Sequence, residues 1–315
     1  MSDNNHLLIL GAAPPGLADS GEHLLLRNTA PHLAQLLEGM APGEVVELPA
    51  DSPSMPWEVA LARLRGLPAE PGHIPWAAFD TETTGIPCAW VRPCFWRVGV
   101  DHVMPMDPEA LDLDEGTSRA FLSAMSPYFA EDGIALAYRS PTRWLATGEL
   151  FRGLASVSLE RVVGRRITPS DFGGPGPGGA LLRRLQNEMQ MLLYTHAAND
   201  TRQDNGRLPV NSFWVAGAGE LASLPGAGPG VVVDASLRAS ALAGDAPAHA
   251  LAWRALDGGA VAALAGRQAA GEPVHITLCG ERFARTFHTS PPSLAQRLRG
   301  LFRGGMRHEN VLETL

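Results

Sequence analysis

Short apolar runs bounded by glycine, proline or polar residues constrain the fold of this chain more than any other feature. Such runs lie at residues 7–10, 210–215, 231–234 and 274–279. Each has the length of a buried strand, and segments with helical periodicity lie between several of them. Strands separated by helices are typical of a mostly parallel sheet with helices on both faces. The sequence therefore predicts an α/β fold.

The helices are predicted from apolar positions that recur at helical spacing. In residues 181–193, Leu182, Leu185 and Met189 fall on one face, while Arg183 and Arg184 lie largely opposite. Further strands are predicted over residues 96–104 and 134–138. The remaining predicted helices cover residues 28–38, 57–65, 114–129, 247–256, 260–266 and, in the basic tail, 294–302.

Two segments rich in glycine and proline interrupt this pattern. Residues 66–96 predict a long ordered connection, and the run FGGPGPGGA at residues 172–180 predicts a linker or flexible loop. We expect a single α/β domain of 315 residues. Within it, these two segments separate an N-terminal half from a C-terminal half.

Charge and cysteine content narrow the class of protein. A formal net charge of -8 disfavours nucleic acid and anionic membranes as bulk partners. No stretch approaches the roughly 18 consecutive apolar residues that a membrane span needs. The N-terminus has neither the basic flank nor the apolar length of a signal peptide. Cys88, Cys94 and Cys279 lack metal-ligand spacing, so the sequence predicts reduced thiols in a cytoplasmic protein.

A polar cluster between residues 194 and 220 is the strongest candidate for a binding site. Asn199, Arg202 and Asn211 surround an Asn-Gly turn at residues 205–206. Arginine can hold a carboxylate or phosphate through parallel hydrogen bonds, and asparagines can orient the remaining oxygens. The alternative interpretation is structural: Asn199 caps the turn and Arg202 forms a surface ion pair.

Other residues near this cluster could contribute to chemistry. Gly217 and Gly219 follow a predicted strand, where bare backbone can approach a phosphate, although the lack of a third glycine at the right spacing favours a tight turn. His196 is the best candidate acid or base, although a lone histidine is more often structural. Asp234 ends a strand and could bind a metal or ribose, or cap the next segment. The sequence predicts no metal site and no cofactor, and it lacks standard hydrolase, protease and nucleotidase motifs.

Residues 182–219, LRRLQNEMQMLLYTHAANDTRQDNGRLPVNSFWVAGAG, resemble the signature of the RpfE-type regulatory proteins, a bacterial family. Segments from about residue 93 to residue 282 agree with this resemblance, among them WRVGVDHVMPMDPEAL and ITLCGER. The resemblance implies a regulatory protein. We expect a non-catalytic or regulatory protein with a pocket for a small anionic ligand or a protein partner around Asn199, Arg202, Asn211 and the turn of Gly217 to Gly219.

A second resemblance covers about forty residues. The pattern HxxNxxRxxxGxxPxNxxWxxGxG, which His196 begins and Gly219 ends, is similar to one in archaeal-type cofactor-independent phosphoglycerate mutases. It implies a reduced alkaline-phosphatase-like fold and, as the alternative function, Mn- or Mg-dependent phosphotransfer on a phosphorylated small acid. The first predicted strand, however, is followed by Gly11, Ala12 and Ala13 rather than a carboxylate. Members of that superfamily place a metal-binding aspartate there.

Overall fold

The computed structural model describes residues 5–13, 29–174, 176–226, 228–289, 311–312 and 315. The helix predicted for residues 294–302 lies outside the described residues. Packing divides the chain into two compact units. Unit 1 is formed by the described residues of Met1–Asp51, Met55–Arg65 and Ala227–Leu315, and unit 2 by those of Ser52–Ser54 and Gly66–Gly226.

The strands fall within or close to the predicted apolar runs, with several additions. In chain order they are β1 (His6–Ile9), β2 (Met40–Glu47), β3 (Cys88–Cys94), β4 (Trp96–Val98), β5 (Val103–Pro105), β6 (Ala135–Ser140), β7 (Arg143–Thr147), β8 (Ser212–Gly219), β9 (Val231–Asp234), β10 (His275–Cys279) and β11 (Phe283–Thr289).

The predicted amphipathic segments among the described residues form helices within a few residues of their predicted bounds, whereas the short helices Trp76–Asp80, Leu159–Val162 and Ala197–Asp204 were not predicted. They are α1 (Pro31–Glu38), α2 (Pro56–Arg65), α3 (Trp76–Asp80), α4 (Glu115–Glu131), α5 (Leu159–Val162), α6 (Pro177–Tyr194), α7 (Ala197–Asp204), α8 (Arg238–Ala243), α9 (Ala246–Leu256) and α10 (Ala262–Ala269). A π-helical turn, Asp257–Val261, joins α9 to α10. Among the described residues, no helix is both long enough and apolar enough to cross a membrane.

Unit 1 contains a five-stranded sheet in the order β2-β11-β10-β1-β9. Strand β1 pairs in parallel with β10 and with β9, whereas β11 pairs antiparallel with β10 and β2. One face of the sheet packs with α1, α9 and α10 into a core of leucine, isoleucine and aromatic side chains. Helix α2 packs on β2 and β11. The predicted α/β class is confirmed, and its parallel pairs lie around β1.

Unit 2 is built on a four-stranded sheet in the order β6-β7-β3-β8. All three pairs in this sheet are antiparallel, which differs from the parallel pairing expected from the sequence. Helices α4 and α6 cover it with apolar side chains, and Phe121, Met189 and Trp214 are buried among them. Strand β3 lies inside the loop-rich segment predicted for residues 66–96. Its buried run was hidden there by the surrounding glycines and prolines.

Residues 96–104 form a hairpin of β4 and β5 rather than the single predicted strand. The turn closes through a hydrogen bond from the Gly99 amide to the His102 carbonyl, at 2.8 Å. A Cβ at position 99 would lie 2.5 Å from Cε1 of His102, so a larger residue there would have to displace this ring. The alternating pattern of valines continued across this glycine and obscured the turn.

Residues 172–180 are part of unit 2 rather than a linker between the two compact units. Phe172 is buried, and its ring contacts those of Trp96, Phe213 and Trp214. A Cβ at Gly173 would lie 2.8 Å from Cα of Gly179. The glycines predicted to give flexibility therefore allow two backbone segments to touch.

Candidate functional site

The polar motif of residues 196–211 lies in unit 2, where α6 ends and α7 begins. His196 is the N-cap of α7, and its Nδ1 accepts a hydrogen bond from the Ala198 amide at 3.2 Å. Its half-buried ring packs against Phe121, with ring centroids 5.0 Å apart. The imidazole therefore holds a helix end in place, which is the structural alternative to its predicted acid-base role.

Asn199 is buried and uses its amide to join two chain segments. Its Nδ2 donates to the carbonyls of Leu193 and Val210, at 2.8 Å and 2.7 Å. Its Oδ1 accepts from the Val210 amide at 2.8 Å. Both amide donors are thus directed at backbone carbonyls, and Asn199 fixes the end of α6 against the chain that leads into β8.

Asn211 has a similar role at the other end of the motif. Its Oδ1 accepts from the Trp96 amide at 2.7 Å, and its Nδ2 donates to the Trp96 carbonyl at 2.9 Å. The side chain thus continues the pairing of β8 with β3 by one step into β4. Because both hydrogen bonds join the Asn211 amide to the backbone of Trp96, they fix the orientation of this side chain.

Gly217 and Gly219 allow α3 to pack closely on β8. A Cβ at Gly217 would lie 2.8 Å from Cβ of Trp76, and one at Gly219 would lie 2.8 Å from Cβ of Pro75. Gly217 also has a φ of +61°, a conformation that favours glycine. Both glycines lie within β8 rather than in a turn after the strand, and the structure uses them for close packing.

Arg202 differs from the other residues of the motif because part of its hydrogen-bonding capacity is unused. The side chain is only 3% exposed. Nε donates to the Leu208 carbonyl at 2.8 Å, and Nη2 donates to the Leu111 carbonyl. Nη1 is buried, and no described group accepts a hydrogen bond from it. The guanidinium partners among the described residues are thus backbone carbonyls, and no carboxylate is among them.

Arg202 lines a cleft of about 700 Å³ in unit 2. The first turn of α4 forms one wall, and α7 with the turn after it forms the other. The lining residues are Asp114, Gly116, Thr117, Ala120, Ala198, Thr201, Arg202, Asn205 and Arg207. Of the predicted site residues, Arg202 contributes to this cleft, whereas Asn199, Asn211, Gly217 and Gly219 do not line it.

The charges around the cleft are of both signs. Burial lowers the pKa of Arg202, and the nearby Arg207 lowers it further, while Asp114 and Asp112 oppose this shift. Asp114 is the N-cap of α4, and its Oδ1 accepts from the Thr117 amide at 2.8 Å. This bond and one from the Thr117 hydroxyl hold the pKa of Asp114 below its usual range.

The sequence prediction missed Arg207, Asp114 and Thr117 as neighbours of Arg202. The spacing Asp-x-x-Thr at residues 114–117 was a signal for a helix start, since acidic residues favour the first turn. Nothing in the sequence placed that helix start opposite Arg202, which lies 88 positions after Asp114.

Metal ligands do not gather anywhere in the described part of the chain. No group of three or more histidine, cysteine, aspartate or glutamate side chains there could hold a metal ion. Asp234, the candidate at the end of β9, accepts hydrogen bonds from both the amide and the hydroxyl of Ser236. The residues described after β1, up to Ala13, carry no carboxylate. Within the described residues, the donor set does not fit the metal centre that the mutase resemblance implies.

Comparison with known proteins gives distant structural likeness. A scan against models of protein families gave no match, and a search of curated protein sequences gave none. The structure is similar to the cofactor-independent phosphoglycerate mutase from Thermoplasma acidophilum DSM 1728, with 14% identity, a TM-score of 0.36, and coverage of 93% of this chain and 91% of that one. It is also similar to the PH0037 protein from Pyrococcus horikoshii, with 11% identity, a TM-score of 0.48, and coverage of 99% and 93%. The fold and site described above do not depend on either likeness.

Proposed function

We propose that unit 2 binds a small anionic ligand in the cleft beside Arg202. The observation that carries this proposal is the buried Nη1 of Arg202, which has no hydrogen-bond partner among the described residues. Buried polar groups in folded proteins are nearly always hydrogen-bonded, so an unused donor on a residue that lines a cleft is unusual. A ligand oxygen would satisfy it.

Charge supports the same ligand class. Removing an arginine from water without a carboxylate partner costs several kcal/mol, so an anion beside it would offset a penalty that the fold already bears. The first turn of α4 adds partial positive charge, because helix amides point out of an N-terminus. Arg207 also lines the cleft, although its charge is partly offset by Asp112. Carboxylates and phosphates are the groups that arginine binds most strongly.

The size of the cleft favours a small molecule. Its volume of about 700 Å³ lies within the roughly 300 to 1,000 Å³ of ligand pockets in proteins. Small side chains at Gly116, Ala120 and Ala198 leave this space open. We therefore place a small acid, rather than a segment of a partner protein, in the cleft.

Recognition is favoured over catalysis. His196, the predicted acid or base, already uses Nδ1 to cap α7. The alternative of metal-dependent phosphotransfer is supported by no cluster of ligands among the described residues. We infer a binding function. The regulatory role that the RpfE-type resemblance implies would require, in addition, that ligand binding changes the interaction with a partner.

The test compares anion binding by the wild-type chain and by Arg202→Met. Isothermal titration calorimetry would measure Kd for inorganic phosphate, succinate, glycerate and 3-phosphoglycerate. A charge-assisted hydrogen bond contributes about 1.5 to 3 kcal/mol, so the variant should bind at least about tenfold more weakly. Methionine keeps an unbranched apolar side chain of similar length, which limits the change in packing.

Arg183→Met provides the matched control. Arg183 also donates to backbone carbonyls, those of Pro169 and Gly174, but it does not line the cleft. Its replacement should leave anion affinity unchanged. Equal losses in both variants would assign the binding to general positive charge, and an absence of binding by the wild-type chain would refute the proposal.

A further inference from the structure

We propose that the ligand of this cleft carries a positively charged amino group as well as its acidic group. This inference rests on the proposed function and concerns the chemical class of its ligand. The cleft is lined by Arg202, Arg207 and Asp114, so a carboxylate lies in a site that otherwise favours anions. An anion without a compensating charge would be repelled by Asp114.

Arg207 does not neutralise that carboxylate, because its own charge is engaged elsewhere. Its Nη2 lies 3.4 Å from Oδ2 of Asp112, and its Nη1 donates to the Asp112 carbonyl at 3.3 Å. Arg202 and Asp114 remain as charged groups that line the same cleft. Neither has an oppositely charged side chain among its hydrogen-bond partners in the described chain. The cleft thus presents one charge of each sign, close enough to attract each other, and neither is hydrogen-bonded to an opposite charge.

Asp114 is suited to accept an ammonium group. Its two oxygens each accept one hydrogen bond from Thr117, at 2.8 Å from the amide and 2.7 Å from the hydroxyl. A carboxylate has about four acceptor positions, so further positions remain for an ammonium, which has three donors. The same two bonds keep the carboxyl ionised by holding the pKa of Asp114 low. The exposed side chain can be reached from the cleft.

The unused donor of Arg202 supplies the other half of the site. Nη1 would bind the acidic group of the ligand while Asp114 binds its amino group. A ligand with both groups would pair with Arg202 and with Asp114 at once, whereas a simple acid would pair with Arg202 and be repelled by Asp114. Amino acids and amino-bearing phosphate esters share this chemistry. Whether a carboxylate or a phosphate contacts Arg202 is decided by the probes below.

The test uses two pairs of probes that differ only in a hydroxyl or an ammonium group at the same carbon. Serine is compared with glycerate, and O-phosphoserine with 3-phosphoglycerate. Calorimetry would measure the four Kd values for the full-length wild-type chain and for Asp114→Asn. Asparagine caps helices as well as aspartate does, so the variant keeps the start of α4 and loses the charge.

Where a pair of probes binds, we expect the wild-type chain to bind the amino probe about fivefold more tightly than the hydroxy probe. This corresponds to the free energy of a partly exposed ion pair. Asp114→Asn should abolish that preference while binding the hydroxy acids at least as well. Equal affinities within the pairs, or a preference that survives in Asp114→Asn, would overturn this inference and leave the anion site in place. Failure of all four probes to bind the wild-type chain would overturn both proposals.

Discussion

Two buried charged residues, one in each unit, are satisfied to different extents. In unit 1, Asp257 lies in the π-helical turn and accepts hydrogen bonds from the backbone amides of His32 and Leu33 and from Nδ1 of His32. In unit 2, Arg202 is equally buried, but its Nη1 has no described partner. Asp257 accepts hydrogen bonds from the backbone amides at the N-terminus of α1, whereas Nη1 of Arg202 has no acceptor among the described residues.

If Arg202 binds an anion as we propose, the difference separates buried polar groups that stabilise the fold from those that bind a ligand. A buried group whose bonds are all made within the chain contributes to folding, and its removal exposes unsatisfied partners. A buried group left partly unsatisfied is a burden on folding that a ligand can relieve. The four variants and conditions below test this contrast, in order of decreasing effect.

Asp257→Ala should give the largest loss of stability. The change removes three hydrogen bonds and leaves the amides of His32 and Leu33 unsatisfied at the start of α1. It also removes a negative charge from the positive end of that helix. We expect the free energy of unfolding to fall by about 4 kcal/mol, measured by urea denaturation.

Asp245→Ala is the control for Asp257. Asp245 caps α9 with one hydrogen bond to the Ala248 amide, at 3.0 Å, and it is exposed. Loss of an exposed cap costs about 1 kcal/mol. If the two substitutions lower the free energy of unfolding equally, the burial and the three hydrogen bonds of Asp257 add nothing to stability. The contrast with Arg202 would then have no energetic basis.

Asn199→Ala should have the next largest effect, about 3 kcal/mol in the free energy of unfolding. It leaves the carbonyls of Leu193 and Val210 and the Val210 amide without their partner. As control, Asn205→Ala removes an exposed side chain with one bond, to the Thr201 carbonyl, and should cost about 0.5 kcal/mol. A small effect at Asn199 would indicate that its amide is free to bind a ligand, as the sequence first suggested.

Much of the fold follows from local signals. The runs that form β1, β9 and β10 are short and apolar, and the spacing of Leu182, Leu185 and Met189 defines the buried face of α6. Such patterns act within a few residues and are read directly from the sequence. The antiparallel sheet of unit 2 was not predicted, because β3 pairs with β8 more than a hundred residues later. A pairing over that separation has no local signature.

Of the residues that the sequence proposed for a binding site, Arg202 lines the proposed cleft, and the sequence did not show how each polar residue of the motif is bonded. Asn199 and Arg202 share one motif and one short helix, and both are buried. Their difference arises from distant contacts: Asn199 reaches Val210, while Arg202 reaches Leu111, 91 positions earlier in the chain. Residue type alone cannot distinguish a polar group that is fully bonded from one that is not.

Acidification tests a third buried polar residue, His6, whose burial disfavours the protonated form of its imidazole. Nε2 of His6 lies 2.7 Å from Oγ1 of Thr277, and its ring stacks on His275. Burial, and secondarily the charge of His275, lower the pKa of His6 from its ordinary 6.5 to about 4. The folded chain therefore binds this proton more weakly than the unfolded chain does. Stability should fall by roughly 2 kcal/mol as the pH decreases from 6.5 to 4.

His6→Gln separates this histidine from the other titrating groups. Glutamine can still bond with Thr277 but carries no charge at any pH. The stability difference between the two chains, measured by urea denaturation across the same pH range, should change by the amount attributed to His6. Parallel pH profiles for the two chains would assign the acid sensitivity to other residues.

Arg202→Met should have the smallest effect on stability and the clearest effect on binding. The carbonyls of Leu208 and Leu111 lose their donors, but the chain no longer buries a guanidinium without a carboxylate partner. These terms oppose each other, so we expect the free energy of unfolding to change by less than about 1 kcal/mol. An anion that binds the wild-type chain should stabilise it by about 2.7 kcal/mol at a hundred times its Kd, and should stabilise the variant, with its at least tenfold weaker affinity, by no more than about 1.4 kcal/mol at the same concentration. A loss as large as that of Asp257→Ala would show that Arg202 is already satisfied within the chain, and the distinction between the two buried charges would no longer hold.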